Sequence, residues 1–217
     1  PHLKGALDLY KKAKDIGGNP EIIIGNATHL KWWEGYQDSL LKFFDKHLKR
    51  DQKSYTNHVF QKKIWNISLK RWDELEDNCL PEGIFGLKTK GNANLNSENE
   101  SLILNSRGSG CLTIVHDPWR PVPADGGHLG PNPGEFNRNI IDTRSDIGVF
   151  QTSLFSENYP FKGIPTLETT VKSDQPTFDI CLALSVVDEE KNANQFSTGF
   201  LRVKNSKENE DCNYIIK

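Results

Sequence analysis

The chain has 217 residues, and its 27 basic against 29 acidic side chains leave a formal net charge of −2 at pH 7. This length is sufficient for one large domain or two small ones with a hydrophobic core that needs no disulfide bonds. The near balance of charge argues against binding to nucleic acid or to an anionic membrane. A helix that spans a membrane needs about 20 apolar residues, and no apolar run in the sequence is that long.

The beginning of the chain and its cysteines bear on its origin. The sequence contains no methionine, begins at Pro1 and carries no signal peptide, so we expect a fragment or a processed chain.

The cysteines are widely spaced without a CxxC pair, which argues against a zinc ribbon or a redox dithiol. We therefore predict reduced thiols in a cytoplasmic protein that needs no cofactor. The cysteines are Cys79, Cys111, Cys181 and Cys212.

The first fifty residues alternate between helical and strand-like patterns, which is typical of an α/β domain. Apolar residues at helical spacing predict an amphipathic helix over residues 3–16 that ends at a glycine pair. Residues 21–25 form a short β-branched run, as expected of a strand buried on both faces in a parallel sheet. After a loop, residues 36–48 predict a second helix whose basic last turn suits the helix dipole.

From about residue 51 onward the pattern changes to many short strands without intervening helices, which predicts an antiparallel sandwich or jelly roll. The clearest strand is 177–187, where alternate residues from Phe178 to Val186 share one face. The Pro- and Gly-rich stretch 117–137 is interpreted as an ordered crossover. The other predicted strands are 63–69, 83–89, 101–105, 111–116, 148–152, 166–172 and 196–204.

His29 follows the predicted parallel strand after a short loop, and open α/β sheets build their sites at the carboxyl ends of strands. In α/β-hydrolases the triad runs nucleophile, acid, histidine along the chain, so this histidine is in the right order for the general base. The alternative interpretation is a loop residue with no role. Position by itself does not decide between the two.

The chain offers no serine in a G-x-S-x-G nucleophile elbow. The nearest stretch is Gly108-Ser109-Gly110, and there Arg107 occupies the position of the motif's first glycine. His116, Asp117 and His128 do not supply three metal ligands at suitable spacing, so no metal site is predicted.

The aromatic pair Trp32-Trp33 beside His29 has two readings. The pair either walls a substrate pocket or buries apolar area under the second helix.

Several stretches resemble the cocaine-esterase and X-prolyl dipeptidyl-peptidase (CocE/NonD) family of hydrolases, in order and along nearly the whole chain. The strand with IIIGNATH at residues 22–29 is similar to the family's apolar strand that leads to Gly-Pro-Trp-x-His. The other similar stretches are FFDKHLK at 43–49, Trp72 after a strand, DP followed by PVPADGG within 117–127, RSDIGVFQTS at 144–153 and GFLR at 199–202.

This resemblance implies a mainly β protein with two parts. Residues 1–50 would be the last helix–strand–helix piece of an α/β-hydrolase domain. Residues 51–217 would be a C-terminal jelly-roll β-sandwich of galactose-binding-like architecture. The chain departs from the family where Asn26-Ala27 replaces Pro-Trp, and it stops before the family's Gly-His-Arg-x-Arg-Leu strand, so we expect a truncated jelly roll.

The resemblance assigns the catalytic histidine to His29, in a parent serine hydrolase that acts on small esters or peptides through a Ser-Asp-His triad. The serine and aspartate would lie upstream, so the fragment alone is expected to be inactive. The alternative function is a non-catalytic module that binds carbohydrate or a protein partner through exposed Trp65, Trp72 or Trp119. Unpaired strand edges also predict pairing between copies of the chain, and thus a homo-oligomer.

Overall fold

The computed structural model describes residues 3–27, 31–49, 62–75, 83–91, 101–127, 134–157, 159–204 and 206–216. The chain divides into two compact units, Pro1–Asn78 and Cys79–Lys217. The described part is mainly β, with two α-helices and ten strands. None of its helices combines the length and the apolar character that crossing a bilayer requires.

Both predicted helices are confirmed in the first unit. Helix α1 spans Leu3–Asp15, and helix α2 spans Tyr36–Leu48 with Lys46 and His47 in its last turn. The end of α1 is closed where the amide of Gly18 donates to the carbonyl of Ala13 at 2.9 Å. Neither helix has a fully buried residue, so their apolar faces contribute little to a core within this chain.

The sheet of the first unit has three strands in the order β1-β2-β3. Strand β1 (Ile23–Ile24) runs parallel to β2 (Lys63–Asn66), and β2 runs antiparallel to β3 (Arg71–Glu74). The prediction of a parallel strand at 21–25 is therefore correct, but the strand is only half-buried because it lies at the edge of the sheet. Strands β2 and β3 belong to the same unit as β1, whereas the proposed boundary between residues 50 and 51 stays a prediction.

The strand predicted for 63–69 is too long, because the chain turns back after Asn66. The side-chain oxygen of Asn66 accepts a hydrogen bond from the amide of Leu69 at 3.0 Å, and Lys70 has a φ of 48°. Asparagine competes with the ladder in this way because its side chain imitates a backbone turn. Asp73 of β3 accepts hydrogen bonds from Asn66 and then Arg71, which together lower its pKa.

The second unit contains the remaining strands, and every named pair in it is antiparallel. Strand β8 pairs with β9, β6 with the other edge of β9, β7 with β10 and β4 with β5. The antiparallel arrangement matches the prediction from the short strand pattern. The strands are β4 (Phe85–Lys88), β5 (Ser101–Leu104), β6 (Phe136–Asn137), β7 (Leu167–Val171), β8 (Phe178–Val187), β9 (Ala193–Val203) and β10 (Cys212–Ile216).

Two predicted strands, 111–116 and 148–152, are wrong, since each contains no more than a single bridge residue. Gln151 forms a lone parallel bridge with Ser101 of β5. The two stretches approach each other through the side chain of Leu112, which occupies the space beside Gly148. The apolar residues of these two stretches pack against other side chains or lie exposed, and they do not form the backbone hydrogen bonds of a strand.

The alternation predicted for β8 holds from Phe178 to Leu184 and then fails. Phe178, Ile180, Leu182 and Leu184 are half-buried, whereas Val186 is 50% exposed. The pairing with β9 slips by one residue between Leu184 and Ser185, which is a β-bulge. A bulge bends and twists the strand locally, so the residues beyond it no longer follow the earlier face.

The core of the second unit combines apolar and polar groups. Its buried apolar residues among the described ones are Ile141, Val203 and Ile216, and its buried polar residues are Arg138 and Gln195. Ile141 begins a short 3-10 helix, Ile141–Thr143.

The described cysteines, Cys111, Cys181 and Cys212, are not joined in a disulfide bond, and Cys79 lies outside the described residues. Burial raises the pKa of the Cys181 thiol, and the charge of Asp179 adds to this effect.

Candidate functional site

The residue predicted as catalytic base, His29, lies outside the described residues, together with Thr28 and Leu30. The structure therefore describes the two ends of the segment that carries it. One end is Gly25, directly after β1, and the other is Trp33, shortly before α2. The described part of the candidate site consists of these ends and of the elements that pack on them.

Gly25 lies against two tryptophan rings. A Cβ atom on Gly25 would lie 2.7 Å from Cε3 of Trp33 and 2.8 Å from Cη2 of Trp72. Carbon atoms do not approach this closely without a shift, so glycine is required here by close packing. Residues from the end of β1, the approach to α2 and strand β3 thus meet at one point.

The rings around Gly25 belong to a larger aromatic cluster. Trp33 and Trp72 meet edge to face with ring centroids 5.6 Å apart. Trp65 lies opposite Trp72 on the neighbouring strand β2, and the centroids of these two rings are 5.4 Å apart. Trp32 stacks on Tyr36 at 5.0 Å. Trp33 is half-buried and packs, whereas Trp32 is 52% exposed and presents its ring to solvent. Trp33 therefore fits the packing reading, whereas the exposure of Trp32 decides for neither reading.

An apolar cleft of about 260 Å³ lies beside β1 and α2. The carboxylate of Glu21 stands in its lining, where Oε1 accepts a hydrogen bond from Nζ of Lys46 at 2.5 Å. The second oxygen, Oε2, is buried and has no hydrogen-bond partner among the described residues. The ion pair ties the start of β1 to the end of α2. The lining residues are Glu21, Ile22, Ile23, Trp33, Tyr36, Ser39, Leu40 and Phe43.

The described serines near these features are not activated nucleophiles. Ser39 donates its hydroxyl to the carbonyl of Gly35 at 3.2 Å, which is ordinary bonding within a helix start. Ser109 runs beside β4, where its backbone bonds Leu87 and Thr89, and no helix follows it. A nucleophile elbow requires a strand-to-turn-to-helix junction, so Ser109 does not form one.

The histidines weighed as metal ligands do not come together in the described part. His116 is exposed, and His128 lies outside the described residues. Within the described ranges no three His, Cys, Asp or Glu side chains converge on a point that would hold a metal ion.

In the second unit, the arginine of the RSD stretch anchors the preceding crossover. Arg144 makes a bidentate ion pair with Asp146, with distances of 2.8 and 2.6 Å, and also donates to the carbonyl of Arg120. The paired guanidinium lowers the pKa of Asp146. Asp117 closes the same crossover by accepting the amide of Trp119 at 3.0 Å. These bonds hold residues 117–120, at the start of the crossover, in place without a regular ladder.

Sequence reasoning missed two features of the site. It did not predict that Gly25 packs on Trp72, because these residues come from distant parts of the chain. It also did not predict the pairing of Glu21 with Lys46, for which the sequence contains no signal. A glycine directly after a buried β-branched run was the available hint that another group approaches the backbone there.

Comparison with known proteins supplies one finding. A family model for the X-Pro dipeptidyl-peptidase C-terminal non-catalytic domain matches residues 31–212. The matched range begins after His29. It includes helix α2, strands β2 to β9 and the first residue of β10, Cys212. No curated protein matches the chain significantly.

Proposed function

Because this chain belongs to the family of X-Pro dipeptidyl-peptidase C-terminal non-catalytic domains, we propose that it is the C-terminal portion of a serine hydrolase. The hydrolase would be an acyl esterase or an X-Pro dipeptidyl aminopeptidase. The observation that carries this proposal is the family match over residues 31–212, which begins a few residues after strand β1.

The proposed architecture has two parts. The parallel strand β1 between two helices is the kind of unit that ends an α/β-hydrolase domain. The antiparallel strands of the second unit would form a jelly roll of galactose-binding-like type.

The proposed catalytic residue is His29, acting with a serine and an aspartate from elsewhere in the parent protein. His29 would accept the serine proton as the hydroxyl attacks an ester or amide carbonyl, and it would then return that proton to the leaving group. The aspartate would hold the imidazole in the correct tautomer.

The second unit would have a structural role as a cover for the hydrolase domain that helps to shape its entrance. The described start of its crossover, where the carbonyl of Arg120 accepts a hydrogen bond from Arg144, would border this entrance.

The test is the activity of the hydrolase that contains this chain, measured with p-nitrophenyl esters and with X-Pro dipeptide anilides. The change His29→Ala should lower kcat by roughly 10⁴-fold or more while the fold is kept. His116→Ala is the matched control, because His116 is exposed in the second unit. Turnover near the wild-type value for His29→Ala would refute the assignment, and the substrate preference of the wild type separates esterase from peptidase.

A second test uses the 217-residue chain alone. Because its serines form no G-x-S-x-G elbow, a fluorophosphonate probe should leave the chain unlabelled at a concentration that labels a known serine hydrolase completely. Stoichiometric labelling of one serine, located by mass spectrometry, would show that the nucleophile is present after all.

The second candidate function is carbohydrate binding, and Trp119 favours it. Its side chain is 91% exposed on a turn that Asp117 closes, whereas Trp65 and Trp72 pack within the aromatic cluster. An exposed aromatic ring on an ordered turn is a suitable stacking surface for a sugar. A glycan array with the wild type and Trp119→Ala decides the matter, since specific binding that the variant loses would favour this function.

A further inference from the structure

The outer edge of β4 in the β4–β5 pair binds a single residue of a neighbouring segment. The amide of Ser109 donates to the carbonyl of Leu87 at 2.9 Å, and its carbonyl accepts from the amide of Thr89 at 3.0 Å. This is the pattern in which one residue of a parallel strand pairs with the residue between its two partners, here Lys88. One residue is therefore sufficient to occupy such an edge position.

The outer edge of β5 has the same kind of position, but it is open. The amide of Leu102 donates to the carbonyl of Gln151 at 2.8 Å, in a lone parallel bridge. Hydrogen bonds to β4 alternate along β5, and the amide of Asn105 donates to β4's neighbour Ile84, so Leu102 and Leu104 turn their backbone groups to the outer edge. The carbonyl of Leu102 and the amide of Leu104 have no partner among the residues that the structure describes.

A cleft of about 410 Å³ lies at this open position, where the chain after Gln151 forms no further bridge with β5. Its volume is within the range of pockets that hold small ligands. The ring of Phe155 stands in the wall and stacks on Tyr159 at 4.9 Å. None of the described lining residues is charged. They are Ser101, Leu102, Ile103, Leu104, Gln151, Thr152, Ser153 and Phe155.

We propose that this position of β5 binds an uncharged peptide in the extended conformation, which adds to the edge as a short parallel strand. One residue of the peptide donates its amide to the carbonyl of Leu102 and accepts from the amide of Leu104, as Ser109 does at β4. The peptide is uncharged because the wall around the open groups offers no countercharge. This inference does not depend on the proposed hydrolase function.

The experiment measures binding of the peptide acetyl-Val-Thr-Val-Thr-amide to the full 217-residue chain by NMR. Both ends of this peptide are blocked so that it carries no charge, and its β-branched residues favour the extended conformation. Amide hydrogen exchange is followed at Leu104 and, as the internal reference, at Leu102, whose amide is already bonded. We expect saturating peptide to slow exchange at Leu104 at least tenfold and to leave Leu102 within about twofold of its value.

N-methylated forms of the peptide test how it pairs with β5. In an added strand only the amides of alternate residues face the neighbouring strand. Methylation of one alternate pair of amides should therefore weaken binding at least tenfold, and methylation of the other pair should weaken it less than about threefold. An equal loss from both pairs would mean that the peptide does not bind as a strand, and the proposal would be wrong.

Two variants of the protein give a matched control. Ser153→Arg places a charged side chain in the wall of the cleft, whereas Leu154→Arg adds the same charge at a neighbouring residue that is 93% exposed. Ser153→Arg should weaken binding of the peptide at least tenfold, and Leu154→Arg should change it less than about threefold. Equal weakening by the two variants would overturn the assignment of the cleft.

Exchange at Leu104 without the peptide tests the other occupants of this edge. Protection that is present at every protein concentration would mean that the chain's own segment after Gln151 closes on β5. Protection that rises with protein concentration would mean that a second copy of the chain binds there. Either result overturns the proposal, and so does exchange at Leu104 that saturating peptide leaves unchanged.

Discussion

Arg138 and Gln195 are joined by a buried hydrogen bond, with Nη1 of the arginine donating to Oε1 of the glutamine at 2.8 Å. Gln195 is 1% exposed and donates from Nε2 to the carbonyl of Asp125, while Arg138 also donates to Asp142 at 2.9 Å. Gly126 allows this approach, since a Cβ there would lie 2.7 Å from Nε2 of Gln195. The side chain of Gln195 thereby links the crossover at Asp125 to β9.

Removing the acceptor of this bond should destabilise the second unit. We expect Gln195→Leu to lower the free energy of unfolding by about 1–3 kcal/mol, because the buried guanidinium of Arg138 loses a partner that water cannot replace. Urea denaturation followed by circular dichroism measures this change. The same substitution at exposed Gln175 is the control, and an equal loss in both variants would contradict the role assigned to Gln195.

Two neighbouring isoleucines of β10 should differ sharply in their contribution to stability. Ile216 is 2% exposed and packs its Cγ2 beside Gly199, whereas Ile215 is 59% exposed. Ile216→Ala should cost about 2–5 kcal/mol of unfolding free energy through lost burial and a residual cavity. Ile215→Ala should cost less than about 1 kcal/mol. Similar losses, measured by urea denaturation, would show that β10 is not packed as described.

The pair of Arg144 and Asp146 should make stability depend on acid. Because the guanidinium lowers the pKa of Asp146 in the folded chain, its contribution is complete above the unfolded value of about 4. That contribution is lost as the pH falls through the lower folded pKa. The difference in urea midpoint between wild type and Asp146→Asn should therefore be constant from pH 7 to 5 and shrink below pH 4.

Arg144→Met serves as the companion variant in this experiment, because it removes the other partner of the same pair. Its midpoint difference from the wild type should shrink over the same acidic range. A difference that stays constant down to pH 2 in both variants would mean that the ion pair does not set the acid response.

The outer face of α2 should drive self-association. Leu41, Phe44 and Leu48 recur at helical spacing and are 62%, 50% and 74% exposed. Contiguous exposed apolar groups of this kind favour contact with another surface, and β1 lies at a sheet edge in the same unit. Light scattering coupled to size exclusion should show a mass that rises with concentration.

The double change Leu41→Glu and Leu48→Glu should reduce this association, and Lys42→Glu, at an exposed position of the same helix, is the charge control. A mass that stays near 24.6 kDa for the wild type at all concentrations would contradict the prediction.

The helices and strands that could be predicted were those whose residue pattern lies within one short stretch of the sequence. Helices α1 and α2 carry their apolar spacing within one short stretch, and β8 shows alternation over most of its length. The strand predicted for 63–69 failed in its second half because an asparagine side chain formed a turn instead. The short strands β3, β6 and β10 were missed, since a few residues contain too little periodicity to identify.

The helices, the parallel strand before His29, the lack of a G-x-S-x-G motif and the family resemblance, which the family match confirmed, could all be read from local residue patterns. The tertiary structure decided which distant residues meet: Gly25 with Trp72, Glu21 with Lys46, and Arg138 with Gln195. It also decided that β2 joins the sheet of β1. Periodicity and turn chemistry act over a few neighbouring residues, whereas packing and buried hydrogen bonds depend on the tertiary fold that brings distant segments together.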